Sequence, residues 1–311
     1  MIDSFLRYLT TWAPPDSFFG HDFNLYALCA LILVALVCGA TGSIVVGARM
    51  AFFSDALAHS AFAGVSIGFI LATTVIMTDE ENFWIWVTPV MLTFGMIVGF
   101  GIAWARERTG LSNDAVIGVF FAATTGLAAS LRKLMQSRRL FTLEDFLFGD
   151  PLLSSSWDIF NLFVLLLVVA AVLAWLYNPL LLGGFNPSLA RSRQMPYRLA
   201  SYAFIVLLAV VVNLTVRTVG VLLINALLVV PAATAVNLGR NLRQVFWLSI
   251  ALCLIACVGG QVLSWEVETR CNVKLGIPGT IVLVSVALFA VSTLIGPLLK
   301  ARPEQSPRAP A

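Results

Sequence analysis

Two side chains in this sequence can bind, donate and accept within a single helical turn. Asp55 and His59 lie in the stretch Arg49 to Phe69, RMAFFSDALAHSAFAGVSIGF, amid apolar neighbours. A spacing of four places them on one face of a helix, one turn apart. A carboxylate and an imidazole are both ligands for borderline divalent cations such as zinc, manganese and iron. The same two groups can also simply hydrogen-bond and pack. Either way they are costly in hydrocarbon, and such residues face a bundle interior or an aqueous path. Two ligands alone do not complete a metal site. The pair therefore reads as part of a transient site finished by other helices, or as a packing contact.

Five other groups of residues carry polar or ligating chemistry. Asn225 sits in Arg217–Leu238, RTVGVLLINALLVVPAATAVNL, about two turns before Pro231. Pro231 removes a helical hydrogen bond. Interhelical hydrogen bonding and metal ligation are the two uses of an asparagine there. In Gly183–Tyr197, GGFNPSLARSRQMPY, Asn186 can cap and Pro187 can take the first position of a short helix carrying Arg191, Arg193 and Gln194. The stretch LRKLMQSRR gathers Arg132, Lys133, Arg138 and Arg139. His21 and Asp22 precede the first apolar run, as a solvated loop pair or a metal catch. Of five cysteines, Cys29, Cys38, Cys253 and Cys257 fall in apolar runs and Cys271 in a loop. The odd count and the lack of CxxC give no disulfide framework and no zinc-finger spacing. Cys253 and Cys257, four apart, fit packing better than a soft-metal site.

The elements that must position these groups are membrane helices. The chain is 59% hydrophobic and 11% charged, against about a quarter charged in soluble domains. Runs near the roughly 20 residues needed to cross hydrocarbon occur at Asn24–Val46, Ala51–Ile76, Phe83–Trp104, Ala115–Leu134, Trp157–Tyr177, Leu199–Val216, Val219–Leu238, Val245–Trp265 and Thr280–Leu299. They predict an all-α polytopic protein with nine spans, or eight if the Arg217 region or the first run does not cross. Gly39/Gly42, Gly64/Gly68 and Gly95/Gly99/Gly101 predict close helix packing. Residues 1–23 read as an extracytoplasmic or interfacial segment without a cleavable signal pattern. Residues 24–299 read as one transmembrane domain, and 300–311 as a disordered cytoplasmic tail. With the Arg49 turn in the cytoplasm, eleven of the nineteen lysines and arginines fall inside and eight outside. The LRKLMQSRR cluster is the outside exception. It marks either a miscounted helix or a surface that docks an acidic partner.

Several chemistries are unsupported. The net charge of +3 is too small and dispersed for nucleic acid. There is no P-loop, HExxH or nucleophile elbow.

With these residues in place, the chain resembles the integral membrane permease of ATP-binding-cassette importers for zinc, manganese and iron. The matching pieces are VVGARMAFFSDALAHSAFAGVSIGF, DAVIGVFFA (Asp114–Ala122), EDFLFGDPL (Glu144–Leu152), FNPSLARSRQMPYRL, VGVLLINALLVVPAATA and IPGTIVLV (Ile277–Val284). They run in order over nearly the whole chain. The resemblance implies a type II importer permease fold, with two permease copies around a central path. It further implies a pair of ATPase subunits below and an extracytoplasmic metal-binding protein above. It makes Asp55 and His59 transient pathway ligands, with Asn225 a further candidate. It makes residues 184–197 the coupling helix, with Asn186, Pro187, Arg191, Arg193 and Gln194 facing the ATPase. That segment departs from the family's usual D-P-E start and A-L-G turn, which puts the partner contacts in doubt. Arg132, Arg138 and Arg139 would dock the delivery protein.

The implied function is ATP-driven import of a divalent transition metal across the bacterial cytoplasmic membrane. No cofactor is bound permanently, and a separate subunit hydrolyses ATP. Imidazole with carboxylate suits zinc slightly better than manganese, with iron open. Protonation of His59 would compete with metal. The rival reading is an ion-coupled secondary transporter working without an ATPase. A membrane metalloenzyme would need a third ligand or base that the sequence does not offer.

Overall fold

The computed structural model describes residues 14, 17–72, 83–135, 148–185 and 197–300. Among them nine helices are long and apolar enough to cross a membrane. They are α1 (Asp22–Gly47), α2 (Phe53–Leu71), α3 (Phe83–Thr109), α4 (Asn113–Met135), α5 (Ser156–Phe185), α6 (Tyr197–Val219), α7 (Val221–Leu238), α8 (Leu242–Cys271) and α9 (Ile277–Lys300). Helices are what such apolar runs must form, because lipid offers no partner for an open backbone N–H or C=O. Each predicted run lies on one of these helices, with the ends moved, except that the end of the Ala51–Ile76 run lies outside the described residues. The described part of α2 begins at Phe53, after a turn. That turn is closed by Arg49 in the left-handed region, at φ 55°. Cys271, expected in a loop, is the last residue of α8.

The break near Arg217 falls at Gly220, a single residue with φ +81° between α6 and α7. Gly149, at φ +62°, lies directly against it. A Cβ on Gly220 would stand 2.5 Å from the Phe148 carbonyl carbon, and one on Gly149 2.4 Å from the Gly220 nitrogen. Two left-handed glycines thus let two stretches of backbone touch where no side chain fits.

Helix α1 packs against α5, α7 and α8; α2 packs against α3, α4 and α6; α9 lies on α7 and α8. The predicted small residues make these approaches possible. A Cβ on Gly39 would meet Ile250 Cα at 2.7 Å, one on Gly42 the Leu228 carbonyl oxygen at 2.3 Å, and one on Gly64 Met91 Cα at 2.9 Å. Close backbone approach substitutes here for the hydrophobic drive that lipid cannot supply. Hydrogen bonds add to it. Ser249 Oγ donates to the Gly39 carbonyl at 2.9 Å, and Gln261 Nε2 to the Asn24 carbonyl at 3.1 Å.

Contacts define two ends of the bundle. At one, Arg106 near the end of α3 donates to Met50 Sδ and to Ser201 Oγ, each at 3.5 Å. Tyr202 donates to Glu107 at 3.0 Å. This joins the α1–α2 turn, the end of α3 and the start of α6. At the other end, the starts of α1, α5 and α9, the ends of α6 and α8, and residues 148–154 surround a cavity of about 970 Å³.

Candidate functional site

Asp55 stands in the first turn of α2, where the exposed N–H groups favour an anion. His59 follows one turn later. Both are half-buried, while Ala56, Leu57, Ala58 and Ser60 around them are fully buried. Of the half-open positions 55, 59, 62, 67 and 70 of α2, all but 67 fall within one stripe at helical spacing. The two polar side chains lie on that stripe, as their spacing predicted.

Each has a neighbour from a different helix. The His59 ring lies 4.8 Å from that of Phe121 on α4, tilted by 37°. Asp55 Oδ1 accepts a hydrogen bond from Asn225 Nδ2 on α7 at 2.7 Å. The pair therefore touches α4 through His59 and α7 through Asp55. Neither partner was readable from sequence. Phe121 is one of many apolar residues in α4. Asn225 offered polarity in hydrocarbon as a signal, but no address for its partner.

The backbone of α7 also meets α8 near this level. Pro231 has no N–H, so the Leu227 carbonyl lacks its helical donor. The Cys253 thiol of α8 points at that oxygen at 3.9 Å. Cys38, Cys253 and Cys257 are all buried. Among the described residues no group of three or more His, Cys, Asp and Glu is arranged to hold a metal.

Other expected sites fall elsewhere. His21 stacks on Phe23 and leans on Trp265, both at 5.2 Å between ring centroids. Asn186, Pro187, Arg191, Arg193 and Gln194, and with them the body of the expected coupling helix, lie outside the described residues, as do Arg138 and Arg139. Arg132 is on the last part of α4, with its side chain outside the described set. The 970 Å³ cavity does not include Asp55, His59 or Asn225.

Residues 20–296 match the ABC 3 transport family. The chain belongs to that family. Its relatives match along nearly their whole length. It is 30% identical over 279 residues to the manganese import system permease protein ScaB of Streptococcus gordonii, covering 89% of this chain and 93% of the relative. It is 28% identical over 287 residues to the manganese transport system membrane protein MntC of Halalkalibacterium halodurans, covering 91% and 90%. It is 27% identical over 266 residues to the high-affinity zinc uptake system membrane protein ZnuB of Haemophilus influenzae, covering 86% and 95%. Among solved structures, PsaBC from Streptococcus pneumoniae in complex with Fab superposes with a TM-score of 0.74 at 25% identity, covering 97% of this chain and 98% of that one. The resemblance to metal-importer permeases read from the sequence is thus borne out, as is the all-α fold of that class. As a member of the ABC 3 family the chain is a multi-pass transport component.

Proposed function

We propose that this protein is the permease subunit of an importer that carries a divalent transition-metal ion, manganese or zinc, across the bacterial cytoplasmic membrane. Asp55 and His59 are the pathway ligands, used transiently as the ion passes. One observation carries the reading: a carboxylate and an imidazole, both half-buried, stand one turn apart on a helix packed mostly in apolar surroundings, in a chain whose relatives include manganese and zinc permeases. A second permease copy supplies the matching pair, so that up to four ligands meet across the path. A separate ATPase hydrolyses ATP and engages the segment 184–197 through Asn186, Pro187, Arg191, Arg193 and Gln194. An extracytoplasmic binding protein delivers the ion, with Arg132, Arg138 and Arg139 on its docking side.

The test is uptake of radiolabelled manganese and zinc into proteoliposomes holding the permease with its ATPase and delivery protein. Asp55→Ala and His59→Ala lower uptake of both ions at least about tenfold, the lower end for lost metal-site partners, while the ATPase still co-purifies. Uptake at the unmodified rate in both variants overturns the ligand assignment. Uptake without any ATPase overturns the coupling and favours the ion-coupled secondary transporter.

A further inference from the structure

An imidazole that holds a metal is normally kept in place by a hydrogen bond at its other ring nitrogen. Among the described residues the His59 ring makes no hydrogen bond; it has a ring contact instead, with Phe121 of α4. The centroids are 4.8 Å apart and the planes are tilted by 37°. That tilt is nearer to stacking than to an edge-on contact, so the phenyl ring covers a face of the imidazole. Metals bind imidazole at its ring nitrogens, on the edge of the ring and not over its face. A ring on the face can therefore fix the imidazole without competing for the ion.

Phe121 is itself placed by packing. Helix α4 is exposed at Gly118, Val119, Ala122 and Ala123, and half-buried at Phe120 and Phe121 between them. Phe120 occupies the notch left by Gly101 of α3, where a Cβ would stand 2.8 Å from Phe120 Cε1. One residue on, the helix has turned by about 100°, and Phe121 meets α2. Thr124 Oγ1 donates to the Phe120 and Phe121 carbonyls at 2.9 and 3.1 Å. Building on the assignment of Asp55 and His59 as pathway ligands, we propose that Phe121 is a positioning residue, whose ring holds the His59 imidazole in the orientation that meets the ion. It acts through His59. Such a contact biases the imidazole by no more than its own strength. For an aromatic pair that is about two- to tenfold in the population of the binding orientation, and apparent affinity falls by the same factor when the contact is lost.

The chain has two histidines, so histidine-labelled protein gives two sets of imidazole signals by NMR, and His21→Gln assigns them. The experiment joins this spectrum of the detergent-solubilised full-length permease with equilibrium binding of Zn²⁺, an ion that imidazole suits. Phe121→Leu and Phe121→Met keep apolar bulk and lose the flat ring, the second guarding against misfolding of the first; Phe121→Tyr keeps the ring. In the parent, the His59 signals carry the ring-current shift of a covering phenyl group. The expected result is loss of that shift in Phe121→Leu and Phe121→Met, with zinc affinity lowered about two- to tenfold. Phe121→Tyr retains both the shift and the affinity. An unmoved His59 signal in Phe121→Leu and Phe121→Met, or an equal fall in affinity in Phe121→Tyr, makes Phe121 a packing residue and overturns the inference. Zinc affinity at the parent level in Phe121→Leu and Phe121→Met, with binding lost in His59→Ala, overturns it too and leaves the pathway ligands standing. Unchanged binding in Asp55→Ala and His59→Ala overturns both.

Discussion

Substituting Gly42 by alanine tests whether α1 sets the position of the site. A Cβ at residue 42 would stand 2.3 Å from the Leu228 carbonyl oxygen, where carbon–oxygen contacts normally settle at about 3.3–3.6 Å. Helices α1 and α7 must then part by about 1 Å. The obstruction is backbone, so no side-chain rotation relieves it. Leu228 is three residues beyond Asn225, about one turn along the same rigid helix. An amide displaced by about 1 Å loses a 2.7 Å contact, because hydrogen bonds weaken steeply outside about 2.7–3.2 Å. Overpacking costs about 1–3 kcal/mol. A lost hydrogen bond to a charged group costs about 1.5–3 kcal/mol, and alanine's better helix propensity returns up to about 1 kcal/mol. The terms are not strictly additive; a net loss of about 2–4 kcal/mol is expected. Unfolding of the detergent-solubilised permease, followed by circular dichroism, measures the stability loss. Metal titration measures the site, where a loss of 1.4 kcal/mol is about tenfold. A Gly42→Ala protein that unfolds and binds metal like the parent refutes the reasoning that α1 packing holds Asn225 against Asp55.

Further outcomes follow from the same geometry. Gly259 and Gly260 are adjacent in α8, yet a Cβ on Gly259 meets nothing within 4 Å while one on Gly260 stands 2.6 Å from Ile281 Cα. Gly259→Ala should stabilise by up to about 1 kcal/mol and Gly260→Ala should destabilise by about 1–2 kcal/mol in the same unfolding assay; equal effects would contradict the α8–α9 contact. At the start of α5, Ser155 Oγ accepts from the Asp158 N–H at 3.3 Å and Asp158 Oδ2 accepts from the Ser155 N–H at 3.0 Å, a reciprocal cap. Ser155→Ala should cost about 0.5–2 kcal/mol, seen as faster amide exchange confined to the first turn of α5. By contrast, breaking the exposed Arg270–Glu266 pair with Glu266→Gln should shift the melting midpoint by no more than the roughly 0–1 kcal/mol of a surface ion pair.

The helices were legible because membrane crossing is a matter of run length, and each predicted run lies on a helix. The Asp55–His59 pair was legible because its spacing is local. What the sequence could not carry was which helix each one meets. An α1 that is apolar all round has no stripe to say that Gly42 faces α7 and Gly39 faces α8. The Asn225–Asp55 bond spans 170 residues, beyond any periodicity. The Cys253 thiol finds the Leu227 carbonyl because Pro231 frees that oxygen, and only the fold brings α8 to it. His21 reads as a soluble-looking loop residue in sequence, yet it packs on Phe23 and Trp265.

That same separation of 170 residues bears on how the protein is made. At roughly 5–20 residues per second, Asp55 is synthesised about 10–30 s before Asn225 exists. A carboxylate in a membrane-inserting helix is disfavoured, though less near the helix end, where Asp55 stands, than at its centre. During that interval its partner must be water or a neighbouring nascent helix. Helix α2 therefore enters the membrane with its carboxylate unmatched, and α7 arrives as the strand of chain that relieves it. Truncated nascent chains ending before residue 225 should leave α2 more open to extraction by alkali than chains that include α7. The order of synthesis thus sets when the contact between α2 and α7 at Asp55 and Asn225 forms, well after α2 has been laid down.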